Sequence, residues 1–431
     1  MTKDTRPHVL MISNNGTPTD RRIWHESTAL RDAGYAVSVI SPGRPDEPLR
    51  ENIDGIAVYR YPSAPRGGSP LRYAVHFARS WAAVLRLSWT VWRTRRFQLI
   101  QACNPPDTYF TIAALYRPLG VRFLFDQHDI CPEIYADRFD HPSRVVAALL
   151  RAAERLTHRV ADHVITVNES CRRLLLGRTG TTRDRLTVVQ TGADLTRLRL
   201  GAPQPERKHG RRYLCAYLGV MGPQDGVDLL LHAVRHLVYE QQREDVHFVL
   251  MGDGECLPDL RELARELEIE PWVEFTGWAD DELISAVFSS SDLGLQPDRR
   301  TPFTDLCTML KTIEYLAFGL PVVAFDLAES RRAAGKAAVF VSDETPAAYA
   351  RAIADLLDNR ELCARMCLHA LWLTRTQLSW EHNRTRYLDV VGSLIGEPAQ
   401  TAPTEPAGDP AGSNGPGPGP VQHDREGSHG H

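Results

Sequence analysis

The chain has 431 residues, a net charge of −4, 43% hydrophobic and 24% charged residues, an ordinary soluble balance in a chain long enough for two or three domains. The charge excludes nucleic-acid binding held by bulk electrostatics, and no run of about eighteen apolar residues offers a membrane span. Eight scattered cysteines without CxxC spacing read as reduced thiols, and the polar Met1 to Pro7 does not read as a signal peptide, so a cytoplasmic protein is expected.

In chain order, short β-rich runs alternate with longer helical ones. His8 to Ser13 reads as a buried strand, Arg22 to Ala33 as a helix stopped by Gly34, and Ala36 to Ser41 and Ile56 to Tyr61 as further strands. A long helix is expected over Leu71 to Arg95. Strands follow at Phe97 to Cys103, Arg122 to Asp126, His163 to Val167 and Leu186 to Gln190. Leu200 to Arg212, rich in polar residues, Pro and Gly, reads as a linker. The pattern then restarts with strands at Tyr213 to Leu218, Val246 to Met251, Trp272 to Thr276, Leu293 to Gln296, Pro321 to Phe325 and Ala338 to Val341. Repeated βα order predicts parallel sheets covered on both faces, hence an α/β fold of two Rossmann-like domains facing a central cleft. The expected divisions are 1–200, 201–379, a C-terminal helix over 380–396 that packs back on the first domain, and 397–431. That last stretch holds seven Pro and seven Gly with few apolar residues, and is expected to be disordered.

Four segments carry the chemistry. The first βα turn, Ser13 to Asp20, lacks the GxGxxG fingerprint, but Gly16 lets the backbone approach a ligand and Asp20 suits a helix cap; a plain tight turn is the ordinary alternative. FDQHDICPE at Phe125 to Glu133 places His128, Asp129 and Glu133 after a strand, where they can bond sugar hydroxyls or handle charge, or simply cap a turn. Gly219, Gly222 and Gly226 in YLGVMGPQDGVD, followed by Gly252 and Gly254 in MGDGE, put two glycine-rich turns at consecutive strand ends, where a helix start can face an anion. Finally, TMLKTIEYLAFGLPVV sets Lys311 and Glu314 on one helical face. There a carboxylate can hold ribose hydroxyls and a lysine can neutralise a diphosphate, or the two can form a modest surface ion pair. Lys311 is one of four lysines against 46 arginines.

These segments, with Asp20-Arg21-Arg22, Glu26, Asn104-Pro105-Pro106-Asp107, Gly192 and Asp194, resemble the retaining glycosyltransferases of family four, which have the GT-B fold; the resemblance covers residues 8 to 395. It implies a nucleotide diphosphate sugar bound by the second domain and an acceptor by the first. It implies no metal and no cofactor, and front-face attack that retains anomeric configuration. By position, Glu314 resembles the ribose-binding glutamate, Lys311 a diphosphate contact, and Gly16 the glycine beneath the diphosphate. His128, with Asp129 beside it, resembles the residue near the anomeric carbon. Gly219, Gly222 and Gly254 fall in the donor turns.

The chain departs from the broad family pattern at Val220 and Asp225, where cations are usual, and at Leu306, where the first of two paired glutamates is expected. Asp305, one position away, is the candidate substitute. The GVMGPQ-type turn resembles a subgroup. Two other readings stay open: a catalytically silent GT-B protein that supports a partner enzyme, and a nucleotide-sugar epimerase. Peripheral contact with the inner face of the plasma membrane is expected from the long helix. Trp81, Leu85, Trp89 and Trp92 fall within about 80° on a wheel of roughly 100° per residue, beside a stripe of Arg79, Arg86 and Arg93; the alternative is an ordinary core-facing helix.

Overall fold

A computed structural model describes residues 5–18, 20–62, 70–139, 141–193, 197 and 199–398, with the side chains of 70–74 left out. Of the tail expected to be disordered, 397–431, residues 399–431 lie outside the described residues, as does Asp194.

The first sheet comprises β1 (His8–Ile12), β2 (Ala36–Gly43), β3 (Arg50–Ile53), β4 (Ile56–Pro62), β5 (Leu99–Cys103), β6 (Arg122–Gln127), β7 (His163–Thr166) and β8 (Leu186–Val188). Their order is β3-β4-β2-β1-β5-β6-β7-β8. The second comprises β9 (Tyr213–Leu218), β10 (Val246–Met251), β11 (Val273–Gly277), β12 (Leu293–Gln296), β13 (Val322–Phe325) and β14 (Ala338–Val341), in the order β11-β10-β9-β12-β13-β14. The second sheet is parallel throughout. Every side chain of β1, β9's neighbour β10 and β13 is buried, as strands covered on both faces require. Two Rossmann-like parallel-sheet domains are therefore present, as the alternating pattern predicts.

One strand escapes that pattern. β3 runs antiparallel to β4, with Ile53 opposite Ile56 across Asp54-Gly55. Both turn residues have positive φ, 50° and 86°, the geometry a two-residue hairpin demands. Its sequence, RENI, is exposed and has no apolar alternation, so only the Asp-Gly pair signals it.

The Pro70–Thr94 helix lays Ser80, Val84, Ser88 and Val91 on the first sheet's core. Trp81, Leu85 and Trp92 pack against the same core; Trp92 meets the rings of Phe97 and Tyr116 at 4.9 and 5.4 Å. The tryptophan arc is thus largely turned inward, which corrects the expectation of a free apolar face. Trp89 alone of the four is exposed, at 53%, with Arg79, Arg86 and Arg93 in solvent.

The chain returns to the first sheet at its end. Trp380, Tyr387, Val390 and Val391 of the Trp380–Ile395 helix share a core with Val9, Ile23 and Leu30. Where it crosses back, Ala193 N–H donates to Leu378 O at 2.7 Å and Trp380 N–H to Ala193 O at 3.2 Å. Gly192 has φ 69°, and a Cβ there would stand 2.6 Å from Trp380 N, so this close crossing of two backbones requires glycine.

Candidate functional site

Segments after β1, β6, β7 and β8 of the first sheet and after β9, β11 and β12 of the second line one cleft of about 740 Å³. From the first domain come Asn15, Gly16, Asp20, Arg21, Arg22, His128 and Asp129; from the second come Val220, Trp278, Phe303, Leu306 and Ile313. Strand carboxyl ends are where such sheets bind ligands.

Asp20 caps the Arg21–Asp32 helix through Ile23 N–H at 3.2 Å and also accepts from Asn15 Nδ2 at 2.9 Å. That fixes the turn carrying Gly16, whose missing Cβ would meet nothing closer than Pro42 O at 3.7 Å. The first helical turn then sends Arg21 and Arg22 in different directions. Arg22 is buried, with NH2 2.7 Å from Asp126 Oδ1, Nε 3.2 Å from Glu26 Oε1 and NH1 2.7 Å from Val189 O.

Asp126 and His128 stand two apart at the end of β6, so their side chains share a side, and His128 Nε2 lies 2.7 Å from Asp126 Oδ2. Burial alone would raise the Asp126 carboxyl, but Arg22 and His128 hold it well below the usual carboxylate range. It is therefore an anion that fixes the His128 ring with Nε2–H donated to it. Glu26, by contrast, is pushed well above its usual value by burial and by Asp126. The His128 loop is clamped by Asn104, whose Oδ1 accepts from His128 N–H at 2.8 Å and Asp129 N–H at 3.1 Å, while its Nδ2 donates to Asp107 at 2.8 Å. Burial pushes Asp107 up to about 7 and raises Asp129. Glu133 is turned away onto Arg178, which grips it at 2.6 and 3.0 Å.

Cys103, Asp126 and His128 also bring their ligand atoms close together. The Arg22 guanidinium already occupies both oxygens of Asp126, and a second cation there would meet its repulsion. These residues do not fit a metal.

In the second domain, Glu314 on the Leu310–Ala317 helix accepts from Arg21 and, at 3.0 Å, from Arg197 NH2. Burial raises its carboxyl against the pull of both arginines. Arg197, which also pairs with Asp281, has no local motif around it in the sequence, because its partners lie 84 and 117 residues away. Among the described residues no ion pair joins Lys311 to Glu314. Lys311 is buried, 2.8 Å from Asp298 and 3.4 Å from Asp225, with Nζ 4.8 Å from the Tyr217 ring centroid. The lysine expected to face a diphosphate thus does not present its charge to the cleft. Two aspartates hold it beneath the glycine turn, and although burial would lower its pKa, their charge raises it.

The glycine turns are packed on each other. A Cβ on Gly252 would fall 1.8 Å from Gly219 O, and one on Gly254 2.5 Å from Met221 O. Gly219 N–H donates to Met251 O and Gly222 N–H to Asp225 Oδ2, so neither amide is offered to an anion here. Asp305 does not reach the cleft either. Its Oδ1 accepts from Ala328 N–H at 2.7 Å and its Oδ2 faces Arg300 at 3.2 Å. Leu306, in place of an acid, packs on the first domain's core, and its carbonyl accepts from Asn168 Nδ2 at 2.7 Å. The position becomes a latch between the domains.

Residues 19–197 match the family model described as Glycosyltransferase Family 4, and residues 212–359 match that described as Glycosyl transferases group 1. The two matched segments cover the two sheet domains in turn, and their arrangement is the GT-B fold. A D-inositol 3-phosphate glycosyltransferase of Nocardia farcinica is 29% identical over 248 residues, 55% of this chain and 54% of that protein. The chain spans about half the length of the curated relatives of that name. Among solved GT-B structures, sucrose-phosphate synthase of Thermosynechococcus elongatus superposes with a TM-score of 0.73 at 16% identity, over 90% of this chain and 99% of that one. HepE of Anabaena in complex with UDP-glucose gives 0.63 at 15% identity, over 90% and 99%.

Proposed function

We propose that this GT-B protein is a glycosyltransferase that moves a sugar from a nucleotide diphosphate sugar to an acceptor hydroxyl with retention of anomeric configuration and without a metal. The observation that carries the reading is the cleft itself: it is lined by the oriented His128 and by Arg21, and Arg21 pairs with the buried Glu314 just behind the lining. HepE, of the same fold, binds UDP-glucose, which supports the donor class.

In this reading Glu314 takes the ribose hydroxyls, releasing Arg21 to the diphosphate, with Arg197 beside it still paired to Asp281. Arg21 supplies charge in place of the cations absent at Val220 and Asp225. Gly16 leaves room beneath the diphosphate, Gly219, Gly222 and Gly254 shape the donor turn, and Lys311 supports that turn from below. Asp305 acts only by holding the Ala328–Ala334 helix. The acceptor oxygen bonds to the anomeric carbon as the bond to the diphosphate oxygen breaks, and the acceptor proton passes to that departing oxygen. Arg21 stabilises its charge. His128, fixed by Asp126, with Asp129 beside it, orients the reacting sugar. For a lipid-linked acceptor, Trp89 and the arginine stripe are what the first domain offers an anionic surface at the inner face of the plasma membrane.

A second reading, a silent GT-B protein supporting a partner, is favoured by Leu306 as a latch and by the neutralised Lys311. Turnover separates the two. Purified protein incubated with UDP-, GDP- and dTDP-sugars is expected to release nucleotide diphosphate from one of them. His128→Ala is expected to lower that rate at least tenfold with donor affinity nearly unchanged. No release from any donor, with donor still bound, favours the silent reading.

A further inference from the structure

A second cluster lies at the pole of the donor domain away from the cleft. His247 is the second residue of β10, Glu274 the second of β11, and His209 follows the Pro205–Lys208 turn in the linker. The cleft turns, by contrast, follow the carboxyl ends of these strands. His209 Nε2 lies 3.4 Å and His247 Nε2 3.9 Å from the same Glu274 oxygen, and the imidazole centroids are 4.3 Å apart. Four-coordinate zinc with ligands at about 2.0–2.2 Å sets neighbouring donor atoms about 3.4 Å apart, close to this spacing.

The second observation is His247 itself. It is 4% exposed, and neither ring nitrogen has a hydrogen-bond partner among the described residues. A buried imidazole with two unmet nitrogens calls for a ligand. Nearby cations are engaged elsewhere. Arg211 Nε donates to Glu244 O at 3.1 Å with its guanidinium over Trp272, Arg212 lies over Tyr213, and Lys208 pairs with Asp292 at 2.8 Å.

We propose that His209, His247 and Glu274 bind one late first-row divalent cation, of which zinc is the best match, with water completing the tetrahedron. Two imidazoles and one carboxylate are borderline ligands suited to zinc rather than to magnesium or calcium. The cation ties the interdomain linker at His209 to the edge of the donor sheet. It is a structural staple, separate from the reaction proposed above.

The probe is zinc chloride added to the full chain after chelator treatment, with cobalt(II) as a coloured substitute. Zinc is expected to raise the unfolding midpoint by roughly 2–4 °C, and cobalt to give the visible absorption of a tetrahedral site. His209 is exposed and has φ 48°, a conformation asparagine tolerates. His209→Asn and Glu274→Gln should therefore fold and lose both signals. The tail histidines His423, His429 and His431 are the competing ligands, and a variant with all three changed to Ala should keep both signals. No response in the wild type overturns the proposal. So does a response that survives His209→Asn with Glu274→Gln, or one that disappears with the tail histidines.

Discussion

Asp126→Asn is expected to lower turnover at least tenfold while leaving donor affinity close to wild type, and to destabilise the fold by about 3–5 kcal/mol, the usual cost of leaving one member of a buried ion pair uncompensated. The carboxylate has no exposure and serves two partners at once, Arg22 at 2.7 Å and His128 at 2.7 Å. Asparagine keeps the volume but removes the charge. It neither neutralises Arg22 nor reliably orders the ring with Nε2–H toward it. Glu26 supplies a partial remedy. Burial and the Asp126 charge keep its carboxyl well above the ordinary range, and in the variant the Asp126 repulsion is gone while Arg22 remains 3.2 Å away. Glu26 then ionises more readily, so the stability deficit should shrink as pH rises. Denaturant unfolding at mildly acidic and mildly alkaline pH measures this. A deficit that grows with pH, or normal turnover, would separate Asp126 from His128.

Lys311→Met is expected to cost stability on the same scale, about 3–5 kcal/mol, rather than chiefly donor affinity. Methionine fills the space of the lysine stem but leaves Asp225 and Asp298 buried together without a cation. Asp225 already has a raised pKa, from burial first, despite Lys311. With a folded value above the unfolded one, the penalty for its charge is present above the folded pKa and vanishes below the unfolded one. The variant should therefore recover stability as pH falls toward the carboxylate range. A stable variant with abolished donor binding would return Lys311 to the cleft as a direct contact.

The contrast between Lys311 and His128 shows what was legible in the sequence and why. The strands were legible because buried parallel strands are written as apolar runs closed by turn residues, as in HVLMI before Ser13-Asn14-Asn15 and VHFVLM before Gly252. RENI was missed because an exposed edge strand carries no such run. His128 was legible because its loop follows a strand end, whereas its partner Asp126 stands two residues earlier on the same side and Asp129, beside it in the sequence, does not orient its ring. Lys311 and Glu314 were correctly set on one helix, but local spacing says nothing of partners contributed by other elements. Lys311 is claimed by residues 13 and 86 positions away, and Glu314 by residues 117 and 293 positions away. Asp305 was placed near the cleft by proximity to Leu306, yet its backbone position turns it to the Ala328 amide instead.

The most direct measurement is a calorimetric titration of UDP-, GDP- and dTDP-sugars into wild type and Glu314→Ala, with unfolding midpoints recorded for both. One donor is expected to bind the wild type. Loss of a charged hydrogen bond to ribose, about 1.5–3 kcal/mol, should weaken its binding to the folded variant by roughly 10- to 150-fold. Equal or tighter binding to Glu314→Ala, or no nucleotide sugar bound by the wild type, would contradict donor capture in this cleft.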